Sequence, residues 1–544
     1  MVEGKKSQFQ HTSFIIKMDE KLRFITEKPV FLLGIIGVLG LLIRLYYFPY
    51  EIPLILDALD YLSYALVTSQ NGHFPHGWNM STNGWPSVLS VFFALFSPNS
   101  FFDYIYIQRS LTVAISVLTI IPMYLLGTRF FEKPYAMLCA VLFILDPRLI
   151  TNSLLGTSDP LFYLLGITAL FFFLSNNIKS IYASFGIAAL LAIIRYEGLL
   201  ILLPLSIVFF MRFGIKRNSI QRYLLSIGIV VLILLPIAYL RIEATGNDGL
   251  ISHVIAGPEY VSKYVVQGLP DAQGNIVITD GQNTLPQFVM SGISNIIKYF
   301  GWVLVPTFVF FIVSGLVIIV KKRSYRNIDY KIKTVIICTI VFLIPAFYAY
   351  GRDFQETRYL YMLFPIFALL SIYTIRKIGV RFTKTGIISA LFIVGVLVAS
   401  VGFLDYEKID YGHEREAFLI TKHVANIAKG VNTYSPEIKY IKAAEVSNNW
   451  PELPPPDPDG HLTRETARIS AEGHKSLDEY IRSSKDQGLT HLVLDGRDDR
   501  EKFLNDVYFN EKKYPYLTKV YDSAEFGFTY HVKIYQIDYN KFQP

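Results

Sequence analysis

The sequence predicts an α-helical polytopic membrane protein of about eleven spans with a C-terminal α/β domain outside the membrane. Three observations predict it. The 544 residues are 52% hydrophobic and only 17% charged, and mean hydropathy is +0.37; a soluble protein is about 25% charged. Apolar runs near the ~20 residues a bilayer requires recur along the chain up to position 404. Lys and Arg collect on alternate sides of these runs, as orientation in a membrane demands.

Taken in order, residues 1–28 are polar, carry Lys5, Lys6, Lys17, Lys21, Arg23 and Lys28, and read as a cytoplasmic tail. The first apolar run, 30–48, lacks a small-residue cleavage site and reads as a retained anchor. Residues 48–104 hold no Lys or Arg, which places them outside. Within them 86–96 is apolar but too short to cross, and is expected to lie along the membrane surface. Later spans are expected at 105–127, 135–150, 160–175, 180–194, 198–211, 223–241, 299–320, 332–350, 358–374 and 385–404. Segments then assigned inside hold roughly 23 Lys and Arg against roughly 7 outside, a positive-inside bias that one missed span would destroy. The net charge of +7 is thereby used for topology and does not point to nucleic acid.

Two outer segments are large. Residues 242–298 carry turn signals at Gly246-Asn247, Gly274-Asn275 and Asp280-Gly281 and a strand-like Ile276-Val277-Ile278. Residues 405–544 suffice for one small domain. There 414–429 places Ala417, Phe418, Val424 and Ile427 at helical spacing. Leu492-Val493-Leu494 reads as a buried strand, and 528–537 as a second, paired with 517–521 across a turn at Gly527. A Pro-rich loop, 451–458, interrupts the middle. The domains are thus a tail (1–28), a membrane domain (29–404) with outer loops 48–104 and 242–298, and an extracytoplasmic α/β domain (405–544). Cys139 and Cys338 fall in apolar runs and read as core residues.

The polar residues that could carry chemistry then share one side of the membrane. Asp57, Asp60 and Tyr61 follow the first span. Asp159 opens the span at 160, Arg195 and Glu197 occupy the turn RYEGL, and Arg352 and Arg358 precede the span beginning at 358. Such loops at the lipid–water boundary point to one shared site. Each has a plainer reading as well. Asp159 before Pro160 fits a helix N-cap, Arg195 fits a local pair with Glu197, and Arg358 fits an interfacial anchor. Asp57 is harder to explain structurally, because it follows apolar 52–56 with no cation near it in sequence, and Asp60 and Tyr61 share its helical face. His73 and His76 have metal-ligand spacing but are only two. Asn79-Met80-Ser81 is an acceptor sequon on the expected outer side.

The stretch RLYYFPYEIPLILDALDYLSYA resembles the first-loop signature of the GT-C fold glycosyltransferases that use polyprenyl-phosphate sugars. The dolichyl-phosphate-mannose protein mannosyltransferases and the lipid A aminoarabinose transferases are members. LDPRLITNSLLGTSDPLF, IRYEGLLILLPL and TRYLYMLFP follow in the same order, so the likeness covers roughly 30–375. It implies that Asp57 is the catalytic first-loop acid and Asp159 the second-loop acid. It implies Arg109, Arg195 and Arg358 near the donor phosphate; Arg352, just before the span that begins at 358, is a further candidate from the sequence alone. Ala58 stands where many relatives carry the second acid of an Asp-Glu pair, and Asp60 is the candidate substitute. The oligosaccharyltransferase motif WWDYG is absent from 405–544, which argues against block transfer of an oligosaccharide.

These residue types suit the reaction. A polyprenyl phosphate is already a good leaving group, so one carboxylate to take the acceptor proton suffices. Arginines hold phosphate with bidentate, charge-assisted hydrogen bonds. Tyr61 and Glu197 are candidates to contact acceptor or sugar. A divalent metal is compatible with this chemistry and not required by it. The expected partners are a polyprenyl- or dolichyl-phosphate-linked sugar, a protein or glycolipid acceptor and the lipid bilayer, with no nucleic acid. The alternatives are a transporter, which calls for a midplane site and two similar halves, and a non-catalytic membrane protein displaying the C-terminal domain.

Overall fold

The computed structural model describes residues 28–252, 285–321, 329–352, 354, 356–382, 385–432, 436–497 and 500–542. Residues 1–27 of the tail, the turns at 274–275 and 280–281 and the strand-like 276–278 lie outside them. The chain divides into two compact units. One comprises Met1–Phe48, Ser81–Trp85 and Arg109–Glu407; the other comprises Pro49–Met80, Pro86–Gln108 and Lys408–Pro544.

The first unit is a helical bundle. Each expected span falls on helix, as it must where lipid offers the backbone no hydrogen-bond partners. Among the described residues seven helices are long and apolar enough to cross a membrane, or nine if two bent pairs each count once. The chain is a multi-pass membrane protein. The bends correct the sequence reading. The span expected at 135–150 is Lys133–Ile144 followed by Pro147–Ser153, turned by 54°. Pro147 disfavours helix at the residue before it, and Asp146 caps the new helix by accepting from Arg148 N (3.0 Å) and Leu149 N (3.4 Å). The span expected at 299–320 is not one helix: Leu285–Leu304 and Val309–Val317 meet at 113°, either side of Pro306. Residues 285–298, expected in an outer loop, belong to the first of these helices. The longest helix, Arg217–Thr245, ends at Gly246, whose φ of +75° is the left-handed closure that glycine adopts without a Cβ penalty.

Arg44 is buried inside the first span and fully committed. It donates to Gly40 O (2.9 Å), Ser116 Oγ (2.9 Å), Ser153 Oγ (3.1 Å) and Ile144 O (3.2 Å). A charge at membrane depth persists only with such partners. Tyr47, just past that span, donates to Asp405 at 2.6 Å, which ties the first span to the end of helix Thr385–Tyr406.

The second unit contains a five-stranded sheet of order β2-β1-β3-β5-β4, with β1 Gly430–Asn432, β2 Ala467–Ile469, β3 His491–Asp495, β4 Leu517–Asp522 and β5 Val532–Ile537. β1 pairs in parallel with β2 and β3, while β5 runs antiparallel to β3 and β4. The period of two is clean. Leu492 and Leu494 face a core with Tyr480, Ile481 and Leu504, and Val493 faces the other with Ile420, Val424 and Ile441. Helix Tyr411–Ile427 buries Ala417, Phe418 and Val424, but Ile427 at its end is 43% exposed, contrary to the spacing argument. The last strand begins at Val532 and not at 528, because Gly527 closes a short 3-10 turn first. Residues 49–80 and 86–108, expected as a loop of the membrane domain, are part of this unit.

Candidate active site

Asp57 opens helix Asp57–Asn71. The residue before it, Leu56, sits at φ +50°, a conformation that is costly for a branched side chain and that turns the chain abruptly into the helix. Asp57 borders a cavity of about 600 Å³ within the second unit. Asp60, one turn on, is buried and has a different occupation. It accepts from Leu462 N at 3.0 Å, lies 2.9 Å from His461 Nδ1 and 3.7 Å from Lys442 Nζ. The carboxylate raises the His461 pKa above its ordinary value, against the opposing effect of burial. Tyr61 is half-buried on the same helix.

His461 is the residue that sequence reasoning missed. It comes from the segment just after the Pro-rich loop, 401 positions from Asp60. Asp457 shapes that loop by accepting from His461 N at 2.8 Å. Gly460 has φ +84°, and a Cβ there would lie 2.6 Å from Met80 N, so only glycine lets the loop seat against 79–80. Trp78 Nε1 then donates to Gly460 O at 2.8 Å. The same contact covers the sequon backbone, and the side-chain oxygen of Asn79 is buried.

The second cluster lies in the membrane unit. Asp159 is nearly buried, and its expected role as an N-cap is not what the structure shows. It accepts from Arg195 Nη1 (2.6 Å), Asn152 Nδ2 (3.1 Å) and Thr157 Oγ1 (3.1 Å). Arg195 also forks onto Glu197, with Nη2–Oε1 at 3.0 Å and Nε–Oε2 at 3.4 Å. The local pair is thus real, and it extends to Asp159. Gly198 positions the turn: a Cβ there would stand 2.7 Å from the Leu191 carbonyl. Arg358 pairs with Glu356, and its charge bears on Asp159. Two guanidiniums therefore meet three carboxylates.

The remaining candidates are dispersed. Arg109 is buried in helix Phe101–Leu118, with Nε donating to Leu154 O at 3.0 Å. Arg352 ends helix Tyr330–Gly351 and lies over Phe354 at 5.0 Å. The His73 and His76 rings are 5.1 Å apart. Among the described residues no group of three His, Cys, Asp or Glu side chains has metal-binding geometry. Asp57, Asp60 and Tyr61 belong to one compact unit, and Asp159, Arg195, Glu197 and Arg358 to the other.

No protein-family model and no curated protein matches the chain. Solved structures do. The oligosaccharyltransferase of Archaeoglobus fulgidus in complex with zinc and sulfate matches with a TM-score of 0.54 at 12% identity, over 85% of this chain and 67% of that one. Its apo form matches at 0.53 and 12%, over 86% and 69%. The same organism's oligosaccharyltransferase AglB, in complex with an inhibitory peptide and a dolichol-phosphate, matches at 0.52 and 12%, over 87% and 70%. At such identity the likeness shows the fold alone: this chain is a helical multi-pass membrane protein of GT-C fold with a C-terminal domain.

Proposed function

We propose that the chain is a membrane glycosyltransferase that moves a sugar from a polyprenyl-phosphate donor to an acceptor hydroxyl on the outer face of the membrane. Asp57 carries the reading. It is a carboxylate delivered by a strained turn to the rim of a cavity, in a fold shared with a glycosyltransferase. In the proposed step the Asp57 carboxylate takes the acceptor proton as the hydroxyl oxygen attacks the anomeric carbon. The carbon–oxygen bond to the phosphate breaks, the polyprenyl phosphate departs with its electron pair, and the anomeric configuration inverts.

Arg195 and Arg358 are proposed to hold the departing phosphate, with Arg109 and Arg352 next in line. Arg195 is saturated by Asp159 and Glu197, so binding requires Glu197 to give up its fork. Asp159 positions Arg195 in this scheme. The N-terminus is cytoplasmic and 405–544 extracytoplasmic in this reading. Protein acceptors are favoured over glycolipids by the neighbour structure tethered to an acceptor peptide containing an NVT sequon.

One observation favours a second reading, transfer of an oligosaccharide en bloc: the matching structures are of an oligosaccharyltransferase, despite the missing WWDYG. Mass spectrometry of surface glycoproteins and lipids from a deletion strain tests both. Loss of one sugar from a carrier supports the first reading, and loss of a whole glycan supports the second. An unchanged glycome, together with substrate flux by the protein in liposomes, would favour a transporter instead.

A further inference from the structure

The cavity beside Asp57 is lined by charges of both signs. Asp57 and Asp60 line it, with Asp457 in the loop that carries His461. Lys439, Lys442, Arg464 and Arg468 line it as well. The segment that carries the two arginines is held in place. The carboxylate of Glu445, itself buried, accepts from Glu465 N (3.2 Å) and Thr466 N (2.8 Å), and Thr466 Oγ1 donates to Ala428 O at 3.1 Å. Arg464 and Arg468 are thereby fixed at the entry to β2, an edge strand whose other side pairs with β1.

The cations are under-compensated. Lys439 is held by Glu414 at 2.7 Å, and Lys442 reaches Asp60 only at 3.7 Å. Arg464 is exposed and makes no ion pair among the described residues. Arg468 is tied to the Ile438 carbonyl, and desolvation together with the like charge of Arg464 holds its pKa down to about 10. An oxyanion between the two guanidiniums relieves that repulsion and matches their bidentate donors.

The acidic groups select among anions. A segment of acidic peptide brings its carboxylates against Asp57 and Asp60. A polyol with one negative substituent satisfies both kinds of group, because its hydroxyls donate to carboxylates and its oxyanion accepts from arginine. We propose that this cavity binds an anionic saccharide, its carboxylate, sulfate or phosphate oxygens on Arg464, Arg468 and Lys442 and its hydroxyls toward Asp57. The use of that ligand in transfer rests on the reading above; its binding does not.

The experiment is binding to the purified full-length protein in nanodiscs, without donor, by calorimetry or saturation-transfer NMR. Methyl glucuronide is expected to bind at least tenfold more tightly than methyl glucoside, and more weakly as sodium chloride rises. The Arg464→Gln, Arg468→Gln double variant should lose at least tenfold for the glucuronide and little for the glucoside. Arg464→Glu, at an exposed position that makes no ion pair among the described residues, gives the same reading if the double variant misfolds. Equal binding of the two glycosides, no binding of either, or unchanged glucuronide binding by Arg464→Glu would overturn the proposal. So would inorganic phosphate or a Glu-rich peptide binding as tightly as the glucuronide. Because no donor is present, a protein that binds the uronide but transfers nothing upholds this site and sinks the transferase reading, and the converse result separates them the other way.

Discussion

Two carboxylates one helical turn apart are assigned opposite work, and substitution separates them. Asp60 is nearly buried, accepts from the Leu462 backbone N–H at 3.0 Å and contacts the His461 ring at 2.9 Å. Asp60→Ala leaves that buried N–H unsatisfied, which costs about 1–3 kcal/mol. It also removes the imidazole contact, discounted to about 1 kcal/mol because the His461 side chain is 52% exposed. The expected loss is about 2–4 kcal/mol. For a unit of this size 1 kcal/mol moves the melting temperature by about 2–4 °C, so a drop on the order of 4–16 °C is expected by calorimetry or fluorescence in detergent. Asp60→Asn keeps an acceptor for Leu462 N–H and should lose about half as much. Asp57→Asn should leave melting within about 2 °C on the same scale. It should lower turnover by at least about a hundredfold, the low end of general-base catalysis. The reasoning is refuted if Asp57→Asn melts like Asp60→Ala, or if Asp60→Asn loses turnover while Asp57→Asn keeps it.

The other expectations concern charge and placement. The His461 pKa is raised above its ordinary value of 6.5 chiefly by the Asp60 hydrogen bond, with Asp457 and Asp57 adding to it and Lys442 facing the same carboxylate. The stability it contributes is therefore complete below pH 6.5 and lost as pH rises through the raised value. Melting temperature should fall over that window in the wild type, and His461→Ala should flatten the profile; a profile identical in the two proteins contradicts the assignment. Arg195→Ala and Arg358→Ala should each raise the donor KM or lower kcat, and Lys should rescue only in part because it lacks the fork. Full activity of both Ala variants moves the phosphate site to Arg109 or Arg352. A cysteine probe at exposed Glu472 should label from outside and one at Gln10 should not, and the reverse pattern inverts the proposed topology.

The sequence by itself determined that the chain is a helical multi-pass membrane protein, because hydrophobic run length is a local quantity that lipid reads directly. It also determined the β4–β5 pairing, since a two-residue period and the turn at Gly527 lie within a short stretch; that β5 pairs with β3 as well came only from the tertiary structure. The breaks at 145–146 and 305–308 carried a signal in Pro147 and Pro306, but a proline marks a break without giving the angle. What only the tertiary structure decided is the work of particular side chains. Asp57 and Asp60 are nearly alike in sequence. The difference comes from His461 and Leu462, brought by a loop some 400 positions away that Gly460 alone allows to seat on 79–80. Asp159 read as a cap because Pro160 follows it, yet Arg195, 36 residues on, is its partner. The buried Glu445 holds the backbone beside Arg464 and Arg468, which line the same cavity as Asp57, and nothing local in the sequence marks that placement. A carboxylate's role is set by which donors reach it, and chain folding brings those donors from distances no local pattern encodes.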